Sequence, residues 1–138
     1  MNTLISTRYT AAMVDGALLL LRIGIAILMI PHGLQKLNGF DKMQNEFVSF
    51  MGLSPKLSLV LAMSAELGCS LLLLVGLFTR FATIPLIITM LTALFMAHQG
   101  ALFGDGEKNG LFITMFLVLL ILGPGEYSLD ARLGKRRF

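Results

Sequence analysis

The chain has 138 residues, 56% of them hydrophobic and 14% charged, with a formal net charge of +3 at pH 7. A soluble domain carries roughly 25% charged residues, so water is not the main solvent of this chain, and its apolar runs leave no room for a soluble domain beside them. A single cysteine, Cys69, excludes an intramolecular disulfide and a dithiol relay within one chain.

The first apolar run, 16–35, follows Arg8 and Asp15, and no small-residue cleavage site closes it early, so it reads as a retained membrane helix. Pro31 deprives the carbonyl of Ile27 of its helical donor, and a kink is expected just before His32. After Asn38-Gly39, residues 41–51 place Asp41 and Gln44 in a capping-box-like arrangement, with Met43, Phe47, Phe50 and Met51 at helical spacing. Too short and too polar to cross, this segment is expected to lie flat as an interfacial amphipathic helix, its Phe and Met face in lipid or across the mouth of the bundle.

Ser54-Pro55 opens the second run, 57–78, whose Ser64 and Gly68 form a small-xxx-small pair that predicts close approach of a neighbouring helix. The tight Thr79-Arg80 link makes the third run, 81–99, its antiparallel neighbour, ending near His98-Gln99-Gly100. The uninterrupted apolar part of the fourth run, 111–122, gives only about 18 Å of helix. Starting at Glu107 with Asp105 as cap extends it over 107–123, and Gly123-Pro124-Gly125 stops it, with Tyr127 as an interfacial anchor. The resulting fold class is all-α: one domain over 1–138, an integral membrane four-helix bundle with a short interfacial amphipathic helix between helices 1 and 2.

Arg8, Arg80, Arg132, Lys135, Arg136 and Arg137 flank one side of these runs, against Lys36, Lys42, Lys56 and Lys108 on the other. The bias places both termini in the cytoplasm, and the basic tail reads as a topology signal and anionic-lipid contact rather than a nucleic-acid site. No Gly-rich phosphate loop, metal-spaced Cys/His cluster or nucleophile motif is present in the sequence.

Two charges, Arg22 and Glu66, fall inside apolar runs. A charge at the bilayer centre costs roughly 2.5–3.5 kcal/mol on insertion scales, which makes each a functional-site hypothesis with a partner to be named. Counting about 1.5 Å per residue puts Arg22 about 5 Å to the cytoplasmic side of its run's centre and Glu66 about 2 Å to the outer side. An Arg22–Glu66 ion pair across helices 1 and 2 is therefore expected, either as register-setting glue or as part of a site. The same bookkeeping places His32 and His98 at matched depth, about 10 and 12 Å toward the outside. They could meet a ligand headgroup, or simply hydrogen-bond frayed helix ends; haem ligation by the pair has no supporting cofactor motif. Cys69, on the Glu66 face, reads as small packing, while Met29, Met63 and Phe95 could wall a pocket or pack helices.

Leu21-Arg22, His32-Gly33-Leu34-Gln35-Lys36-Leu37, Ala65-Glu66, Gly76-Leu77-Phe78-Thr79-Arg80 and Gly123-Pro124-Gly125 followed by Tyr127-Ser128-Leu129-Asp130 occur in this order along nearly the whole chain. This combination resembles the DoxX family of small bacterial membrane proteins. The resemblance implies a four-helix fold in the inner membrane and an association with quinone-linked oxidation, since relatives include membrane subunits of thiosulfate-to-quinone electron transfer. It singles out Arg22, His32, Lys36, Glu66 and His98 as ligand-binding or proton-relay candidates. Two departures stand out: Cys69-Ser70 where relatives usually carry glycines, and Glu107, or no residue, in place of an acid near the start of the fourth helix.

Three functions fit. The chain is a subunit of a membrane oxidoreductase acting with a quinone, its electrons supplied by a redox partner protein; or a binding or transport module for a small apolar or anionic molecule; or a structural membrane subunit. Its surroundings are the lipid bilayer, and a homo-oligomer is compatible with each function. No metal is implied.

Overall fold

A computed structural model describes residues 3–97 and 99–137, and among these the chain is all-helical. Thr10 begins α1 (Ala11–Asn38), its hydroxyl accepting from the Met13 amide at 3.3 Å. That satisfies one of the amides a helix start leaves without a partner. The helix is longer than 16–35 at both ends and runs unbroken through Pro31. One helical turn, α2 (Phe40–Met43), follows.

The interfacial segment departs from the helix expected over 41–51. Beyond Met43 it continues as turns and irregular chain. Gln44 does not complete a capping box; its side-chain amide donates to the Asp41 carbonyl at 3.3 Å instead. A segment this short forms too few hydrogen bonds to offset the cost of nucleating more than a turn. It is tied down by the Phe50 amide, which donates to Ser58 Oγ at 2.9 Å.

Ser54 and Pro55 act as read: the Ser54 hydroxyl accepts from the Leu57 amide at 3.2 Å and Pro55 opens α3 (Pro55–Ser64). A π-helical turn, Ala65–Cys69, carries the chain into α4 (Ser70–Val75), which Gly76 ends in the left-handed conformation at φ 74°. Three residues after Gly76, α5 (Thr79–Thr92) starts antiparallel, and it too ends in a π-helical turn, Ala93–Ala97. The last long helix, α6 (Glu107–Leu122), starts after Gly106, so Asp105 does not cap it. An unanticipated helix, α7 (Leu129–Arg137), closes the chain after Ser128, whose hydroxyl accepts from the Ala131 amide at 3.2 Å.

Among the described residues, three helices are long and apolar enough to cross a membrane: Ala11–Asn38, Pro55–Val75 and Thr79–Met96. The fourth, α6, lies mainly against α5 and also touches α1. Ile25 and Met29 of α1, Leu73 of α4, Leu86 and Met90 of α5, and Phe116 of α6 form the buried centre. Outward-facing Leu20, Phe81 and Ile121 are each more than 70% exposed. An apolar exterior around an apolar centre fits lipid as the solvent, and van der Waals packing and polar contacts then hold the helices together.

The basal end of the molecule carries the Gly76–Phe78 turn and the 123–130 segment; the distal end carries residues 39–54 and 100–106.

Candidate functional site

At the distal end, Glu66 sits in the π-helical turn of the second span, with only 3% of its side chain exposed. Lys36, near the end of α1, reaches it with its ammonium across both carboxylate oxygens, at 3.0 Å to Oε1 and 2.8 Å to Oε2. Gly33 makes this approach possible. A methyl group at that position would meet the Leu67 side chain at 2.6 Å and the Leu67 amide nitrogen at 3.2 Å. The close contact comes from α1 rather than from the Ser64/Gly68 pair, since nothing lies within 4 Å of where a Gly68 side chain would start.

The Arg22–Glu66 pair expected from depth is not formed. Arg22 is fully buried, but its Nη1 donates to the Leu73 carbonyl at 3.1 Å and its Nη2 to the Tyr127 carbonyl. The reason is register. Gly33 is level with Leu67, so the residue of α1 opposite Glu66 lies close to Lys36, and Arg22 is about 21 Å further along the helix. The N-terminal turns of α1 run past the end of α4, where the Asp15 carboxylate accepts from the Glu126 amide at 3.1 Å.

Arg22 therefore belongs to a basal lock. The Asp130 carboxylate accepts from the Phe78 and Thr79 amides at 2.8 and 2.9 Å, and the Asp130 amide donates to the Gly76 carbonyl at 2.9 Å. These bonds hold Phe78 in a left-handed conformation, φ 48°, which costs a non-glycine residue about 1 kcal/mol or more. A side chain at Gly76 would run into the Arg22 guanidinium and Ser128. Nearby on the surface, Glu126 pairs with Lys135 at 2.7 Å, and this hydrogen bond and opposite charge hold the exposed ammonium above its ordinary pKa.

Two cavities meet at the Lys36–Glu66 pair. One, of about 440 Å³, is apolar and is lined by Phe47 and Val48 from the interfacial segment, Leu61 and Ala62 of α3, and Pro85 and Ile88 of α5. The other, of about 550 Å³, is polar and opens toward the distal loops, with His32, Asp105, Glu107 and Lys108 on its wall. His32 packs its ring edge-on against Phe112 at 6.0 Å between centroids. Pockets of 300–1,000 Å³ with a few convergent polar groups are the usual form of a small-molecule site. π-Helical turns, too, are concentrated at such sites, and one of the two here presents Glu66 while the other begins at Ala93, which lines both cavities.

The candidate residues thus separate. Lys36, Glu66 and His32 converge at the distal end, Arg22 does not join them, and His98 lies outside the described residues. Glu107 does reach the polar cavity. Met29 is fully buried in the centre and Phe95 is exposed, so neither walls a cavity; Cys69 is a free thiol packed on the centre. Among the described residues no group of three or more His, Cys, Asp and Glu could hold a metal ion. The Lys36–Glu66 pairing was readable only as two charged residues, because its partners are 30 positions apart and no periodicity links them.

An all-helical chain with three membrane-length helices and an ion pair buried between two cavities defines a polytopic membrane protein with an internal polar site. It belongs to the DoxX family, whose model matches residues 17–99. It is 35% identical to the inner membrane protein YqjF of Escherichia coli K12, over 88% of this chain and 95% of that protein. To the inner membrane protein YphA of the same organism it is 33% identical, over 83% of this chain and 89% of that one. An uncharacterized membrane protein of Mycobacterium tuberculosis, Rv3486, matches at 36% identity over 51% of this chain and 52% of its own length. No solved structure matches the chain.

Proposed function

We propose that this chain is a quinone-binding, redox-associated subunit of the bacterial inner membrane, with the Lys36–Glu66 pair as its headgroup site. The observation that carries this reading is the position of that pair, a forked ion pair at the junction of an apolar and a polar cavity. A quinone is a polar ring on an apolar tail and supplies two-electron, two-proton chemistry when bound. Lys36 can donate to a carbonyl of the ring, Glu66 can hold a proton beside it, and His32 lies on the path from Glu66 to the distal loops. His98 remains a relay candidate by sequence. Arg22 is assigned to stability, because Nη1 and Nη2 donate to backbone carbonyls at the other end, although its buried Nε has no partner there. The chain's own residues carry no electron, so a redox partner protein would deliver them.

The placement in the membrane follows the same reading. Relatives named as inner membrane proteins support that location. In the sequence, six basic residues toward the basal end, Arg8, Arg80, Arg132, Lys135, Arg136 and Arg137, against Lys36, Lys42, Lys56 and Lys108 toward the distal end favour a cytoplasmic basal end and cytoplasmic termini. The 16 residues of α6 span about 24 Å, enough with its flanking loop to make the fourth crossing of a four-helix bundle.

The test is thermal unfolding of the purified protein in nanodiscs with a short-chain ubiquinone or menaquinone. Stabilisation that Glu66→Gln and Lys36→Met each weaken supports the reading. If neither quinone stabilises the wild type, the site binds something else without redox turnover, or holds helices together, and the reading is wrong.

A further inference from the structure

We propose that the apolar cavity is a lateral entry site for a single-tailed amphiphile with an uncharged head, taken directly from the leaflet at the distal end. The proposal uses the ion pair of the preceding reading but needs no redox role.

The direction of entry comes from the walls. Above, the cavity is closed by Phe47, Val48 and Phe50, the last fixed through its amide to Ser58 Oγ at 2.9 Å. Sideways it is not closed: Leu61 of α3 and Ile88 of α5 line it and are 48% and 44% exposed, on the apolar exterior of the molecule. The gap between these two helices therefore faces lipid rather than water. An acyl or prenyl tail can slide in without leaving an apolar medium, and a cavity of about 440 Å³ accepts one tail, not a two-chain phospholipid.

Charge sets the head. Among the described residues, Lys36 and Glu66 are the charged side chains on this cavity, and they neutralise each other. The adjoining polar cavity adds Asp105 and Glu107 against Lys108, which leaves an excess of carboxylate. An anionic head, carboxylate or phosphate, would meet that excess, and a cationic one would have to displace Lys36 from Glu66, both of whose oxygens it already holds. Hydrogen-bonding capacity remains for a neutral head: an ammonium has three N–H groups, of which Glu66 takes two, and the carboxylate oxygens keep lone pairs for a hydroxyl.

The experiment is photolabelling in nanodiscs with three probes of equal chain length carrying a diazirine in the tail: a monoacylglycerol, a fatty acid and an alkylamine. Labelled residues are mapped by mass spectrometry. The monoacylglycerol should mark residues 43–50, 58–62 and 85–92 at least about fivefold more than either charged probe, a difference of about 1 kcal/mol. Ala62→Trp, which fills the cavity, should reduce that labelling to background and leave labelling of the outer face of α6 around Ile121 unchanged. Should Ala62→Trp not fold, Leu61→Trp on the exposed rim must give the same loss. Unchanged labelling in the blocked variant, or a charged probe labelling as well as the neutral one, overturns the proposal. Labelling that is selective but not displaced by a short-chain quinone sinks the quinone reading and leaves this one standing.

Discussion

Lys36 lays its ammonium across both carboxylate oxygens of Glu66, at 3.0 and 2.8 Å, with 18% of the lysine and 3% of the glutamate side chain exposed. A buried carboxylate in an apolar bundle is tolerable because this partner is held against it. Gly33, one turn earlier on α1, sets the distance at which the two helices run. The pair is thus a product of backbone approach as much as of charge.

Removing one member should cost more than removing both. Glu66→Leu or Lys36→Met leaves a charge without its counterion in a largely buried site and is expected to lower stability by about 3 kcal/mol or more. Lys36→Met combined with Glu66→Leu should fall within about 1 kcal/mol of wild type. Chemical unfolding in detergent, run as a double-mutant cycle, measures the difference. Additive losses in the double variant would show that the two side chains do not act as a pair.

Arg22→Lys should destabilise without touching ligand binding. An ammonium cannot fork between the Leu73 and Tyr127 carbonyls as a guanidinium does, so one charge-assisted hydrogen bond is lost, at a cost of about 1.5–3 kcal/mol. Quinone-induced stabilisation, measured as the shift in Tm on adding ligand, should be unchanged. A lost shift with normal stability would return Arg22 to the site.

Gly76→Ala should be among the most damaging single-methyl changes in the chain. The residue has φ 74°, and the added carbon would occupy the position of the Arg22 guanidinium and the Ser128 side chain. Strain and displacement together are expected to cost about 2 kcal/mol or more. Expression yield and Tm report it, and a Gly76→Ala protein as stable as wild type would contradict the geometry of the basal lock.

Asp130→Ala should loosen the start of α5 while leaving the distal cavities intact. Its carboxylate caps the Phe78 and Thr79 amides, and losing such a cap costs about 1–2 kcal/mol. Hydrogen exchange should accelerate at residues 78–82, with no change over 61–67. Protection lost at both places would mean that the two ends are coupled.

Two charges in apolar runs were visible in the sequence, but their partners were not. Arg22 would stand opposite Glu66 only if the centres of the first two runs were level. In the folded chain α1 projects beyond α4, and the contact of Gly33 with Leu67 fixes a register that composition and span length do not encode. The helix expected over 41–51 is a single turn at Phe40–Met43, and the helix Leu129–Arg137 has no counterpart in the sequence reading, for a related reason. Short segments take their conformation from neighbours, and only Ser128 and Asp130 hinted at the second.

By itself the sequence determined the class of structure. Long runs of apolar residues in a chain with few charges must be helical in lipid, because only there can every backbone amide find a partner within its own segment. The caps at Thr10, Ser54 and Gly76, and the tight turn between the second and third spans, follow from local chemistry in the same way. Tertiary structure decided which charge meets which. That choice depends on the sliding of one helix along another, a few ångströms at a time, and it rests on small contacts such as a missing side chain at Gly33 rather than on any pattern along the chain.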